Sequence, residues 1–365
     1  MPFPQISESH LVSAQRVAND LSSRFSIAGL YITGSLAAGL GNATSDLDIV
    51  AVTDDGNETA EWNSDDGLVT HVEIFSRQMV EGWLSQLASL PHRHADYSAA
   101  LKTELLLENL SRLYYAIPVV GRELVADWRR QLDTAALRQG YMLYHATDAI
   151  TYARDALGAV QSGDLLTGWD VSQQALRGVL LMALAATDDL YYGKKWLLKR
   201  IATCPAFGSD LAEHAFALLY PEGGLPRQDE SLMTQTIMDR MRCAAFLSAF
   251  ACVFGWEKPL AQPPGLPPPE NGERSVWYVY ARFRDTCFAG GPQGWRLSRI
   301  DVLAWLLLRP GQSAEDLAGS LSAQVGAHVS ERFSAGVLDR LHTAGLAGPR
   351  RIRAGQTAEW QANGG

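Results

Sequence analysis

The sequence is poor in cysteine, and it has no apolar run long enough to cross a membrane. Its 365 residues include four cysteines, which show neither a CxxC pair nor a zinc-ligand spacing. We interpret them as buried, small apolar side chains. Apolar runs such as 179–186 are much shorter than the roughly 20 residues of a transmembrane helix. The N-terminus also lacks the basic segment and apolar core of a secretory signal, so we expect a cytoplasmic chain without a membrane partner.

Basic residues are scarce in the first part of the chain. Residues 1–100 contain four basic and thirteen acidic side chains, a balance of −9 that equals the net charge of the whole chain. An acidic region repels phosphate backbones, so general nucleic-acid binding is disfavoured unless metal ions mediate it. Carboxylates gathered in one region suit divalent cations or a cationic substrate, although surface acid that aids solubility accounts for most of them.

The length and the pattern of the sequence predict several domains of class α+β. With 47% hydrophobic and 19% charged residues, the chain is globular rather than disordered or a coiled coil. We predict a small domain with a mixed sheet and flanking helices at 1–95 and a helical domain at 96–257. A proline-rich linker is predicted at 258–272 and a small α+β domain at 273–365.

The first of these regions alternates between helical and strand patterns. Apolar spacing predicts an amphipathic helix over 8–24, followed by strands at 28–33, 46–52 and 69–75. The polar stretch 54–66 is interpreted as a hairpin connection or a loop. From about residue 78 to residue 255 the pattern is helical.

One combination of residues in this region carries chemistry. Gly34 and Ser35 end the first strand, and ten residues later Asp46 and Asp48 lie two apart on the second predicted strand. Both carboxylates then point from the same face, where two adjacent anions need a cation such as Mg²⁺. Gly34 lets the backbone approach a phosphate closely, and Ser35 adds a hydroxyl. A surface hairpin would explain the two aspartates alone, but not their combination with Gly-Ser and with Glu73 on the next strand.

This combination resembles the nucleotidyltransferase superfamily, whose pattern is Gly-Ser, a spacer of about ten residues and Asp-hydrophobic-Asp. The resemblance implies that Asp46, Asp48 and a third acid, Glu73, are catalytic and bind the metal. It leaves open whether Glu73 is a metal ligand or takes the acceptor's proton. Gly34 and Ser35 would bind the nucleotide phosphates.

The order of a small α/β domain and a helical domain is similar to that of the transferases that adenylylate aminoglycosides. This similarity implies a Mg²⁺-dependent enzyme that moves NMP, with AMP from ATP as the expected case, onto a small-molecule acceptor. Pyrophosphate would be released. The resemblance of the helical region extends only to this general layout.

A second cluster of basic residues lies in the helical region. Lys194 and Lys195 follow two tyrosines and a glycine. In similar transferases a basic residue of the helical domain reaches the nucleotide phosphates, so Lys194 and Lys195 are predicted to bind the nucleotide. A solvated basic face is the alternative. We interpret His92 and His94, which have no third ligand nearby, as part of a polar loop rather than a metal site.

The C-terminal region is predicted to contain a strand at 275–284 and helices at 299–308, from 313 onward, and at 331–344. It weakly resembles PqqD-like and winged-helix modules, which bind leader peptides or DNA. The resemblance leaves several alternatives: a transferase directed at a peptide, a protein or tRNA, and a small domain that packs on the enzyme or mediates dimerisation. A non-catalytic nucleotide-binding interaction protein is a further alternative.

Overall fold

In the computed structural model, a mixed sheet, a helical region and a second, smaller sheet follow one another along the chain. The predicted α+β class is therefore confirmed. The structure describes residues 6–54, 58–63, 68–90, 100–226, 228–262, 265–266 and 274–348, with only the backbone of 58–63. His92, His94 and part of the proline-rich segment lie outside these ranges. Within them, no helix has the length and apolarity needed to span a bilayer.

The first sheet has five strands in the spatial order β3-β4-β2-β1-β5. Strands β2 and β4 are parallel, and the other neighbouring pairs are antiparallel. The strand bounds are β1 Ile27–Ile32, β2 Leu47–Thr53, β3 Glu58–Asn63, β4 Val69–Ser76 and β5 Ile117–Val120.

Two strands of this sheet differ from the sequence prediction. Strand β3 lies in the stretch interpreted as a connection or loop, and it pairs with β4. Strand β5 lies in the stretch predicted to be helical throughout, and it pairs with β1 at the edge of the sheet. A four-residue apolar run such as β5 cannot be distinguished from a helix segment by periodicity alone. It is too short to show whether its apolar residues repeat every two residues or every 3.6.

The two faces of this sheet pack against different helices. One face, with Leu30 and Ile49, packs against α1 (Glu8–Ser22), which matches the predicted helix. The opposite face, with Tyr31 and Val50, joins the core of the helical region. Side chains that alternate toward this second face therefore lie between the sheet and the helices.

A short helix follows β1 within the first sheet, and the helical region then contains a series of longer helices. The longest of them, α6, packs along α7, and both lie in the stretch predicted to be helical. The helices are α2 Gly34–Ala37, α3 Arg77–Leu87, α4 Glu104–Tyr114, α5 Arg122–Gln131, α6 Thr134–Ser162, α7 Leu165–Ala185, α8 Leu197–Thr203, α9 Gly208–Leu219 and α10 Glu230–Phe250.

The C-terminal region has three antiparallel strands followed by three helices. The first strand lies within the predicted range and the helices lie close to theirs, whereas no bounds were predicted for the second and third strands. Its first strand is buried along its whole length, and the backbone amide of Tyr280 donates to the hydroxyl of Ser248 on α10 at 3.0 Å. This region and the helices share one hydrophobic core. The elements are β6 Val279–Phe283, β7 Thr286–Gly290, β8 Trp295–Ser298, α11 Arg299–Leu307, α12 Ala314–Val325 and α13 Glu331–Thr343.

Helix α4 offers a test of the packing between the sheet and the helices. Leu110 is fully buried, whereas Leu105 on the same helix is 67% exposed. We expect Leu110→Ala to lower the free energy of unfolding by about 2–5 kcal/mol, because it leaves a cavity in the core. The matched variant Leu105→Ala should change it by less than about 0.5 kcal/mol. Urea denaturation measures both values, and equal losses would show that α4 packs differently.

Candidate functional site

The register of β2 and β4 places two of the predicted acids on the face that meets the helical region. Asp48 is paired with His71, and Val50 is paired with Glu73. Residues paired in parallel strands point to the same face, so Asp48, His71 and Glu73 form a row. The Nδ1 atom of His71 lies 3.9 Å from Asp48 Oδ1 and 3.9 Å from Glu73 Oε1. His71 thus lies between the two acids, a position that sequence analysis missed.

Asp46 lies just before this row. The sequence predicted Asp46 on the second strand, but β2 begins at Leu47, and Asp46 is exposed. Its charge nevertheless acts on Asp48. Burial raises the pKa of Asp48 to about 6, and the negative charge of Asp46 contributes to this rise, whereas Arg112 and His71 oppose it. The shift of Asp48 therefore comes first from burial and then from its acidic neighbours.

Gly34 meets the Asp48 carboxylate directly. The backbone amide of Thr33 donates to the Asp48 carbonyl at 2.9 Å, which extends the pairing of β1 and β2 to this point. Gly34 has a φ of +72°, and a Cβ atom there would lie 1.9 Å from Asp48 Oδ2. Only glycine combines this backbone conformation with this close approach. Ser35 follows in α2 and is buried.

Arg112 on α4 binds the third predicted acid. Its Nη1 donates to Glu73 Oε2, and its Nη2 donates to Glu108 Oε1 at 2.9 Å. The carbonyl of Arg112 accepts a hydrogen bond from the Thr33 hydroxyl at 3.0 Å, which ties α4 to the end of β1. Sequence analysis missed Arg112, because no pattern links a lone arginine on an amphipathic helix to an acid 39 residues earlier.

These residues border a cleft of about 130 Å³ between the sheet and the helical region. The sheet side contributes Thr33, Gly34 and Asp48. The helical side contributes polar and aromatic side chains from the end of α4 and from the segment before α8: Glu108, Ser111, Arg112, Tyr115, Tyr191, Tyr192 and Gly193. The cleft therefore combines carboxylates, one guanidinium and tyrosine rings.

The segment 189–193 is held in the cleft by a buried arginine. Arg200 is 3% exposed, and its Nε donates to Asp189 Oδ2 at 3.0 Å. Its Nη1 donates to the Gly193 carbonyl at 3.2 Å. The segment also contacts α4, where the amide of Tyr192 donates to the Ser111 hydroxyl at 3.2 Å. Burial and the negative charge of Asp48 raise the pKa of Tyr191 to about 12, so its hydroxyl stays protonated and able to donate at neutral pH.

The predicted lysines lie directly after this segment. Lys194 and Lys195 are both exposed. The Nζ of Lys194 lies 3.7 Å from Asp148 Oδ2, and the Nζ of Lys195 lies 5.2 Å from the centre of the Trp196 ring. Lys199, in the first turn of α8, donates instead to the carbonyls of Leu40 and Gly41 at 2.8 and 3.4 Å. Lys199 thus connects the helical region to the loop after α2.

The acids fit a divalent cation in part. Asp46 and Asp48 supply hard oxygen donors, and the negative charge of Asp46 acts on Asp48, where a cation would offset it. Glu73 is engaged by Arg112. Among the residues that the structure describes, no three histidine, cysteine or acidic side chains are arranged to hold one metal ion. A three-ligand site would therefore need Glu73 to leave Arg112.

Comparison with known proteins supports the superfamily resemblance. The family model of the nucleotidyltransferase domain matches residues 14–105, a segment that contains Gly34, Asp46, Asp48 and Glu73 but ends before Arg112. Among solved structures, a nucleotidyltransferase-like protein from Exiguobacterium sibiricum shares 11% identity with a TM-score of 0.38. That similarity covers 66% of this chain and 76% of the other. No curated protein matches the sequence.

The contact between Gly34 and Asp48 predicts that a methyl group added at residue 34 destabilises the fold strongly. Gly34→Ala should destabilise the fold by about 1–2 kcal/mol through its left-handed backbone and by about 1–3 kcal/mol more through the clash with Asp48. Gly163→Ala is the matched control, because Gly163 has a φ of +79° with open space around its Cβ position. Urea denaturation of both variants separates the two effects, and equal losses would rule out the close contact.

The raised pKa of Asp48 predicts how stability depends on pH. Because the folded-state pKa is about 6 against a reference value of 3.8, this carboxyl favours folding most below pH 4. That contribution is lost as the pH rises through 6. In EDTA at pH 7.5, we therefore expect Asp48→Asn to be more stable than the wild type by about 1–2 kcal/mol, with the difference vanishing below pH 4. The exposed control Asp20→Asn should show no such trend in thermal melts, and a pH-independent difference for Asp48→Asn would contradict the assignment.

Proposed function

Since residues 14–105 match the family model of the nucleotidyltransferase domain, we propose that the chain is a cytoplasmic enzyme that transfers NMP from an NTP to an acceptor. AMP transfer from ATP with Mg²⁺ is the expected case. The observation that carries the proposal is the Asp48 carboxylate directly over Gly34, next to Asp46. All four cysteines are unpaired thiols, as expected in a reducing compartment.

The acids and the Gly-Ser turn have distinct proposed roles. Asp46 and Asp48 hold the metal, which when bound offsets the charge that grows on the leaving pyrophosphate. Gly34 lets the backbone approach a phosphate closely, while the space that a side chain would fill is taken by the Asp48 carboxylate. Ser35 is proposed to bind the distal phosphates; since its side chain is buried, the contact would come from its backbone or from a small rearrangement of α2.

The transfer step itself is a substitution at the α-phosphorus. The acceptor oxygen forms a bond to this phosphorus while the bond to the bridging oxygen of the β-phosphate breaks. The electron pair of that bond leaves with pyrophosphate. The acceptor's proton passes to Glu73 if this residue is the base, or to water if Glu73 is the third metal ligand.

The phosphates also need positive charge from the helical side of the cleft. An NTP brings several negative charges to a site that already contains Asp46, Asp48 and Glu73, and like charges oppose binding. We propose that Lys194 and Lys195 contribute part of the compensation. They follow Gly193, which lines the cleft, and both are exposed, although the Nζ of Lys194 lies 3.7 Å from Asp148 Oδ2.

A cavity beside the cleft favours a small-molecule acceptor. It has a volume of about 610 Å³, and Tyr115 lines both it and the cleft. Tyr114, Leu40 and Pro205 give it a largely apolar surface, and the other lining residues include Asp188 and Asp189. A cavity of this size fits a small organic molecule, and the carboxylates would accept hydrogen bonds from its hydroxyl or amino groups.

A second candidate acceptor is a peptide bound by the C-terminal region. Among the described residues, β8 pairs with β7 along one edge, and no strand pairs with its other edge. An extended peptide can add to such an edge. Because this region shares its core with the helices, the test of this alternative uses the full chain.

The direct test is incubation of the protein with Mg²⁺ and each NTP against a panel of small hydroxylated and aminated acceptors and peptides. Pyrophosphate release and product mass identify the nucleotide and the acceptor together. A product with a small molecule supports the first candidate, and a modified peptide supports the second. Nucleotide binding without transfer to any acceptor would favour the non-catalytic alternative.

The proposed metal-binding role of Asp46 and Asp48 predicts that removal of either carboxylate abolishes activity but not the fold. We expect Asp46→Asn and Asp48→Asn each to reduce pyrophosphate release at least about a hundredfold, because metal coordination supplies several kcal/mol to the transition state. Asp54 is exposed and directly follows the C-terminal end of β2, so Asp54→Asn is the matched control and should retain activity. Turnover retained by either cleft variant would overturn the assignment.

A further inference from the structure

Arg112 occupies a distinctive position in the cleft. Among the described residues that line it, Arg112 is the only one with a cationic side chain. The Arg112 side chain is 24% exposed, and its guanidinium is bound on one side by Glu73 and on the other by Glu108. The single positive charge of the cleft wall is therefore bound to the acid that the transferase reaction needs.

We propose that Arg112 exchanges Glu73 for the triphosphate of the incoming nucleotide. Before the nucleotide binds, Arg112 neutralises Glu73 and keeps it from a metal ion. When the nucleotide arrives with its metal, Arg112 turns to the phosphates and releases Glu73 to act as ligand or base. This inference rests on the proposed function and deepens it, since it assigns a phosphate-binding residue outside the family match at 14–105.

The charges of the site favour this exchange. Asp46, Asp48, Glu73 and Glu108 carry four negative charges, and Arg112 offsets one of them while it is shared between Glu73 and Glu108. A divalent cation at the first three acids supplies two positive charges, so the attraction between Glu73 and Arg112 is then partly replaced. The triphosphate adds negative charge to the cleft that Arg112 lines. Both changes move the preferred partner of the guanidinium from Glu73 to the phosphates.

The geometry allows the side chain to turn while its backbone stays fixed. The carbonyl of Arg112 is held by the Thr33 hydroxyl, and Thr33 directly precedes Gly34, where we place a phosphate. Arg112 therefore starts from a point anchored to the phosphate-binding turn. A guanidinium also has the planar fork that binds two phosphate oxygens at once, which an ammonium group lacks.

The experiment measures nucleotide and metal binding separately. Binding of mant-labelled ATP, GTP, CTP and UTP is measured by fluorescence with Mg²⁺, and Mn²⁺ binding without nucleotide is measured by electron paramagnetic resonance. For Arg112→Gln we expect nucleotide affinity to fall about ten- to a hundredfold, as for loss of a charge-assisted phosphate contact. Mn²⁺ affinity should instead rise about fivefold, because Glu73 is released.

Two further variants make these results interpretable. Arg130→Gln removes an arginine from an exposed ion pair with Asp127 on α5, and it should change neither affinity. Arg112→Lys keeps the charge but loses the fork, so Mn²⁺ affinity should stay near the wild-type value while nucleotide affinity falls about threefold to tenfold. Opposite changes in two affinities cannot arise from partial unfolding, which would weaken both.

The outcomes separate this inference from the proposed function. If the wild type binds nucleotide and Arg112→Gln binds it equally well, Arg112 does not contact the phosphates and the inference is wrong. Unchanged or weaker Mn²⁺ binding by Arg112→Gln would equally overturn it. If the wild type binds none of the four nucleotides, the proposed function fails, and the inference fails with it.

Discussion

The repulsion among closely placed carboxylates is the constraint on which the cleft depends. Asp48 lies over Gly34, with Asp46 before it in the chain and Glu73 on the neighbouring strand. Sheet register fixes the positions of Asp48 and Glu73, so these two acids cannot separate without loss of strand pairing. The neighbouring elements instead supply compensation, through His71 within the row and Arg112 from α4. The acids are therefore offset in part by a histidine and a guanidinium that lie next to them.

Two arginines on the helical side have different functions in this arrangement. Arg200 is almost fully buried and holds the segment 189–193 through a carboxylate and a backbone carbonyl, so it fixes the wall of the cleft. Arg112 is partly exposed and binds only side-chain acceptors through its guanidinium. Burial and backbone contacts make the first a structural element, because breaking such a pair costs several kcal/mol. The second is held by side chains alone and lines the cleft.

The sequence predicted the elements and acids that follow from local patterns. Strands β1, β2 and β4 were recognisable from their apolar residues, and the Gly-Ser turn with Asp46 and Asp48 gave the resemblance to the nucleotidyltransferase superfamily that the match at 14–105 supports. Strand β5 was missed because its four residues lie between helices and pair with a strand 85 residues earlier in the chain. Arg112 and His71 were missed for a related reason. Their roles come from neighbours across the sheet and across the cleft, which the order of residues does not show.

The shared core of the helical and C-terminal regions couples their stabilities. Strand β6 packs against α6 and α10, and the amide of Tyr280 depends on the Ser248 hydroxyl for its hydrogen bond. Exposure of one region therefore also exposes apolar surface of the other, so the two open together rather than separately. A molecule that binds in the cleft and stabilises the helices then lowers the population in which the C-terminal strands are open, although it touches none of their residues. The protease sensitivity of one end of the chain thus reports on occupancy at the other.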